Sequence, residues 1–141
     1  ALTNPSMSYS TRTRIRESAR QGDRYKEMEV LSATPGELVV LVYDHLLASL
    51  LRARVAIAAG DHEARIESFA KARDAVGELL ATLDRAKGGA VAGQLGGLYT
   101  FFLRELAALG IDPAVGRLDR VTSMVRELRE AFVGIQSGAV R

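Results

Sequence analysis

The 141-residue chain contains no cysteine. Its absence excludes disulfide cross-links and thiolate metal sites. No apolar run approaches the roughly 20 residues of a membrane-spanning helix, and the N-terminus lacks the apolar core of a secretory signal. Aromatic residues make up only 6% of the chain, and proline occurs three times. We therefore expect a cytoplasmic protein built from helices, without membrane insertion.

The amino-acid composition is typical of a single folded domain. Hydrophobic residues make up 48% and charged residues 26% of the chain, which is a composition of globular rather than disordered proteins. The net charge of +2 is uneven, because residues 1–24 carry five arginines against Glu17 and Asp23. We interpret residues 1–24 as a flexible, solvated basic arm. An arm for nucleic acid or a membrane surface is the alternative, but no aromatic platform or groove-reading motif accompanies it.

Residues 34–37 have the sequence pattern of a helix N-terminus. Thr34 suits the N-cap position, Pro35 the first helical position, and Glu37 follows the threonine by three residues. This is a capping box with proline at its preferred place. The pattern predicts a helix from Pro35 to Ala59, where Gly60 and Asp61 form a tight connection to the next helix.

This first predicted helix is apolar on two faces. One helical stripe contains Val39, Val42, Tyr43, Leu46, Leu50, Ala53 and Ile57. A second stripe, on an adjacent face, contains Val40, Leu47, Leu51 and Val55. A helix that is apolar over more than one stripe must be covered on more than one side. We predict a central helix with one face left over for another occupant.

Helical periodicity predicts three further helices, over about His62–Ala86, Val91–Leu109 and Pro113–Gln136. The inner stripe of the second helix contains Ile66, Phe69, Ala72, Val76, Leu79, Leu80 and Leu83. That of the third contains Val91, Leu95, Leu98, Tyr99, Phe102, Leu106 and Leu109. That of the fourth contains Leu118, Val121, Val125, Leu128, Phe132 and Ile135. Short connections make neighbouring helices antiparallel. The predicted fold is all-α, an antiparallel up-down four-helix bundle with a short or flexible N-terminal segment.

Glycines and chain ends refine this outline. Gly93, Gly96 and Gly97 weaken the third helix by roughly 1 kcal/mol each relative to alanine, so we expect either close approach of another backbone or fraying. The bundle is predicted to span residues 25–136, followed by a tail over 137–141. We expect residues 1–6 to be non-native, with Met7 as the native start.

Catalytic chemistry is not indicated. His45 and His62 are the only histidines, and neither lies in the Glu-x-x-His pattern of di-iron bundles. We interpret His45, beside Asp44, as a polar residue at the edge of the core rather than half of a catalytic pair. The segment Lys87–Gly89 lacks phosphate-loop spacing. We predict no catalytic residue, cofactor or metal, and a groove that takes an amphipathic helix, a second copy of the chain or its own N-terminal segment.

Four ordered groups of residues carry a family resemblance. They read Tyr25-x-x-x-x-Val30-x-x-Ala33-Thr34-Pro35 with Glu37-Leu38 and Leu41-x-Tyr43-Asp44; Leu80-x-x-Leu83-Asp84-x-x-Lys87-Gly88-Gly89-x-x-Ala92; Leu95-x-x-Leu98-Tyr99 with Leu103; and Leu128-Arg129-x-Ala131-Phe132. From Tyr25 to Ile135 the chain resembles the flagellar export chaperone family FliS. It departs from the family at Phe132, where tryptophan is frequent, and at Ala86 and Ala90, where glutamates are frequent.

The resemblance implies a specific function. FliS proteins are helical bundles of the bacterial cytoplasm that bind the disordered C-terminal segment of new flagellin, which folds into helices as it wraps the bundle. Binding prevents premature filament assembly and presents flagellin to the FlhA component of the type III export gate. The implied partners are therefore flagellin and FlhA, with a homodimer of the free chain as a further use of the surface. A bundle adaptor for a different protein partner is the alternative.

Position by position, the resemblance assigns flagellin binding to two helices and the segment ahead of them. The assigned residues are Tyr25, Val30, Leu38, Leu41, Val42, Tyr43, Leu46, Leu95, Leu98, Tyr99 and Phe102. Tyr25 and Val30 match a segment that, in the family, can cover part of the binding surface. For Tyr43 and Tyr99, a place in the core is an equally good interpretation.

Overall fold

A computed structural model describes residues 24, 27, 28, 33–83 and 85–136 of the chain. Tyr25, Val30, Asp84 and the predicted tail over 137–141 lie outside the described residues. The chain divides into two compact units, Ala1–Pro35 and Gly36–Arg141. In the first unit Arg24, Glu27 and Met28 are helical and exposed. The second unit contains nearly all of the helical bundle and is described below.

Four helices account for the second unit: α1 (Pro35–Ala59), α2 (His62–Ala81), α3 (Arg85–Ile111) and α4 (Val115–Gln136). No strand occurs in residues 33–83 or 85–136, so the predicted all-α bundle is confirmed. Helix α4 runs antiparallel to α1, because Asp119 pairs with Arg54 near one end and Arg129 pairs with Asp44 near the other. Across the described ranges, no helix combines the length and apolar character needed to cross a membrane.

The first connection follows its prediction closely. Helix α1 has the predicted bounds. Gly60 adopts a positive φ of 68°, the left-handed conformation that favours glycine. The Asp61 carboxylate accepts a hydrogen bond from the Ala64 backbone N–H at 3.0 Å, which satisfies one of the free donors at the start of α2.

The later helix boundaries differ from those predicted. Helix α2 ends at Ala81 rather than Ala86, and the Leu83 backbone N–H donates to the Leu80 carbonyl only three residues earlier, at 3.2 Å. The predicted break at Lys87–Gly89 is confirmed as a kink within α3, because Gly89 has a non-helical φ of 56° and ψ of −132°. Helix α4 begins at Val115 rather than Pro113, since the Leu118 N–H donates to the Ala114 carbonyl at 3.1 Å. Turn hydrogen bonds, not apolar periodicity, set these ends.

The core is built from the predicted inner stripes. Its buried members are Tyr43, Leu46, Leu50, Ala53, Phe69, Ala72, Ala75, Val76, Leu79, Tyr99, Phe102, Leu106, Leu109, Leu118, Val121 and Val125. The predicted burial is wrong for three stripe residues. Ile66, Val91 and Ile135 are 58%, 64% and 62% exposed, respectively. Each lies near the end of its helix or beside the Gly89 kink, where neighbouring helices leave the side chain in solvent.

Two tyrosines tie α1 to α3 inside this core. The hydroxyls of Tyr43 and Tyr99 are 2.5 Å apart and share a hydrogen bond. The ring of Tyr43 also packs on Phe132 of α4, with centroids 6.2 Å apart. Burial raises the pKa of both phenols above its ordinary value, because an apolar interior disfavours the phenolate. The pair stays neutral and fixes α1 against two neighbours.

Arginine–carboxylate pairs fasten α4 from outside the core. Arg54 donates to both carboxylate oxygens of Asp119, at 2.9 and 3.2 Å. Arg129 donates in the same way to Asp44, and this contact raises the pKa of Arg129. Arg117 hydrogen-bonds Glu105 of α3 at 2.9 and 2.5 Å and lowers the pKa of that carboxyl. Each arginine contacts its carboxylate at two points, which fixes the orientation of α4. Ion pairs at the surface add little to the free energy of unfolding.

Candidate functional site

The outer face of α1 carries apolar side chains that no helix of the described residues covers. Leu51 is 62% exposed and Val55 is 61% exposed. Val40 and Leu47, from the same predicted stripe, are partly exposed. The stripe therefore lies at the surface of the bundle, and the prediction of a helix with a face left over is confirmed.

A groove of about 430 Å³ separates α1 from α2 on this side; we call it the α1/α2 groove. Its lining residues are Leu51, Arg52, Val55, Ala56, Ala59, Asp61, Ala64, Glu67, Ser68 and Lys71. The apolar members form most of the exposed lining. Three of these residues are alanines with short side chains, so a helix bound in the groove can pack close to the backbones of α1 and α2.

A second groove, of about 390 Å³, lies between α1 and α4; we call it the α1/α4 groove. Its lining residues are Leu47, Ala48, Leu50, Leu51, Arg54, Asp119, Thr122, Ser123 and Arg126. The Arg54–Asp119 ion pair belongs to its wall, so this groove is the more polar of the two. Leu51 lines both grooves and forms the ridge between them.

Helical spacing extends the wall of the α1/α2 groove toward the start of α1. The residues that share its face recur three and four positions apart: Leu38, Leu41, His45, Ala48, Arg52, Val55 and Ala59. Such spacing is typical of a seam against which a second helix packs. Leu38 is 36% exposed and Leu41 is partly exposed. Two of the residues assigned to binding therefore lie on the same helical face as the groove.

The other assigned residues lie deeper. Four of them are at most 2% exposed and belong to the core: Tyr43, Leu46, Tyr99 and Phe102. In this conformation they present almost no surface to a partner, and they support the helices from inside. Val42, Leu95 and Leu98 are partly buried and pack against the core. Neither Leu95 nor Leu98 lines the α1/α2 groove or the α1/α4 groove.

The motif-based assignment omits Leu51, Arg52 and Val55, although the second apolar stripe contains two of them. The assignment followed the family motif, which concentrates at the start of α1. The stripe at Leu51 and Val55 was the signal that identifies the groove, because a helix face with no partner in its own chain stays at the surface.

Asp44 and His45 do not form a catalytic pair. The Asp44 carboxylate binds the Arg129 guanidinium, while His45 is exposed and has no hydrogen bond or ion pair with any residue in the described part of the chain. Asp44 therefore orients α4 against α1 rather than polarising an imidazole.

Comparison with known proteins gives a consistent result. A family model described as "Flagellar protein FliS" matches residues 18–139. The flagellar secretion chaperone FliS of Salmonella typhimurium is 31% identical over 114 residues, which cover 80% of this chain and 84% of the relative. The flagellar secretion chaperones FliS of Campylobacter jejuni and Bacillus subtilis are each 32% identical over 108 residues, 77% of this chain and 84% and 80% of the relatives.

Proposed function

The chain belongs to the FliS family of flagellar secretion chaperones, and on that premise we propose that it binds the disordered C-terminal segment of flagellin on the outer face of α1. The observation that carries the proposal is the exposure of Leu51 and Val55 on a helix that is otherwise well packed. Completing the burial of each contributes roughly 1–2 kcal/mol to binding. The segment folds into helix as it covers them.

Coupled folding suits an export chaperone physically. A flagellin waiting for export must stay unfolded, yet its apolar C-terminal segment must not assemble into filaments in the cytoplasm. Ordering the segment opposes part of the interaction free energy, so the complex is specific and still releases its cargo. We propose that the complex then reaches the type III export gate through FlhA. No catalytic step is involved.

The assigned residues take different parts in this proposal. Leu38 and Leu41 contact flagellin together with Leu51 and Val55, because all four lie on α1 with exposed surface. Leu95 and Leu98 provide a second contact on α3. The other assigned residues support the surface from inside: Tyr43, Leu46, Tyr99 and Phe102, with Val42, hold α1 and α3 in place.

Isothermal titration calorimetry with the flagellin C-terminal segment of the same organism tests this function. We expect one segment per chain, affinity in the micromolar range or tighter, and a gain of helix by circular dichroism. Absence of binding at micromolar concentrations contradicts the proposal. A stable dimer in light scattering that flagellin does not dissociate supports a self-associating module instead.

A further inference from the structure

Four charged side chains line the α1/α2 groove, and three of them are already engaged. Glu67 and Lys71 form an ion pair at 3.1 Å across one turn of α2. Asp61 caps α2 by accepting from the Ala64 N–H. Arg52 is exposed, and within the described ranges it has no ion pair or hydrogen bond. It is therefore the one free cation of this groove among the described residues.

The position of Arg52 places its guanidinium beside the apolar floor. On α1 it is followed by Val55 at three residues, and both side chains line the α1/α2 groove. The small side chains of Ala56, Ala59 and Ala64 line the groove next to it. A helix lying on these residues would bring its flank, not its apolar stripe, within reach of Arg52.

We propose that Arg52 is a specificity-determining residue that pairs with a carboxylate on the flank of the bound helix. The occupant of the α1/α2 groove is then an amphipathic helix with apolar residues three and four positions apart and an Asp or Glu beside them. The inference rests on the proposed function, in which the flagellin C-terminal segment supplies this helix. A guanidinium matches a carboxylate at two points, and the pair strengthens as the filled groove excludes water.

The α1/α4 groove offers a matched control. Arg126 is also an exposed arginine without an ion pair among the described residues, and it lines that groove. Arg54 is unsuitable as a control because Asp119 already binds it. Reversal of Arg52 and reversal of Arg126 change the net charge of the protein equally, so only their location differs.

The experiment titrates a synthetic flagellin C-terminal segment into the full chain and its Arg52→Glu and Arg126→Glu variants. We expect Arg52→Glu to weaken binding tenfold or more and Arg126→Glu to change it less than twofold. Thermal unfolding of both variants checks that the bundle is intact. A set of segments, each with one Asp or Glu changed to Arg, should contain one that restores binding to Arg52→Glu within threefold of the wild-type pair.

The outcomes separate the two proposals. If the wild-type chain does not bind the segment, the proposed function fails and this inference fails with it. If the wild type binds and Arg52→Glu binds equally well, only the inference is overturned. A larger loss from Arg126→Glu, or a loss from Arg52→Glu that no reversed segment restores, also overturns it.

Discussion

Leu50 and Leu51 are neighbours on α1 with opposite surroundings. Leu50 is completely buried in the core, whereas Leu51 is 62% exposed on the ridge between two grooves. The same contrast holds for the faces to which they belong. The buried residues of the inner face belong to one core cluster with residues of the other helices, and no helix of the described residues covers the outer face. A leucine on the inner face of α1 therefore stabilises the fold, whereas a leucine on the outer face is available to contact a partner.

This contrast explains why α1 contains so much apolar surface. A helix that only completed the core would carry one apolar stripe about 100° wide and a polar outer face. The outer face of α2 is mostly polar, with exposed Glu63, Glu67, Asp74 and Glu78, and Ile66 is the exposed large apolar side chain of that helix. Helix α1 breaks this pattern at Leu51 and Val55, and a local breach of the pattern is expected at a functional surface.

The largest expected effect separates the two leucines. Leu50→Ala should lower the free energy of unfolding by about 2–5 kcal/mol, because it leaves a cavity in a close-packed core. Leu51→Ala should change it by no more than about 0.5 kcal/mol. Urea denaturation followed by circular dichroism measures both. Equal losses from the two variants would show that the faces do not differ in the way described.

The tyrosine pair tests the inner face in a different way. Tyr99→Phe leaves the Tyr43 hydroxyl buried without its partner, which should cost roughly 1–3 kcal/mol. The raised pKa of both phenols means that their contribution is complete below pH about 10 and is lost as the pH rises through the folded-state values.

Urea unfolding between pH 8 and pH 11 measures this prediction. The wild type should lose stability in the alkaline part of the range, and the Tyr43→Phe/Tyr99→Phe double variant should lose less. An alkaline profile that is the same in both proteins would contradict the account of the pair.

Val55→Asp tests the outer face. A carboxylate in the apolar floor of the α1/α2 groove must be desolvated when a helix fills it, so binding of the flagellin segment should weaken at least tenfold, about 1.4 kcal/mol. The free energy of unfolding should stay within about 0.5 kcal/mol of the wild type. Thr122→Asp in the α1/α4 groove is the control and should leave binding unchanged. A greater loss from the control would move the site to the other groove.

The smallest effect concerns the outer face of α3. An added Cβ at Gly93 or Gly97 meets no atom of the described residues within 4 Å, and both residues lie in continuous helix. At these two positions the expected fraying and the expected close approach are both wrong. Gly97→Ala should therefore stabilise the bundle by up to about 1 kcal/mol, measured by urea denaturation. A destabilised variant would indicate that this face has a partner in the free chain.

Much of the fold follows from local patterns in the sequence. The start of α1, the Gly60–Asp61 connection and the core stripes are each specified by a few adjacent residues. Some errors occur where a distant element decides, since the burial of Val91 or Ile135 depends on how far a neighbouring helix reaches. The end of α2 is a local feature, a three-residue turn hydrogen bond from Leu83 to Leu80, that apolar periodicity does not report.

The candidate site shows the same division. Periodicity predicts that α1 has an uncovered face, because the count of apolar stripes is a property of one helix. It does not predict the grooves at Leu51, since their depth depends on the small residues of α2 and the ion pairs of α4. Motif positions such as Tyr43 and Phe102 belong to the core, so a residue's place in a family pattern does not by itself place it at the surface.

The central claim is that flagellin binds the outer face of α1. Methyl-resolved NMR of the full chain with isotope-labelled leucine and valine, titrated with the flagellin C-terminal segment, tests it most directly. The account predicts that the largest shifts belong to the methyl groups of Leu51 and Val55, while Leu50 and Val76 in the core change little. Shifts confined to other helices, with Leu51 and Val55 unaffected at saturation, would contradict it.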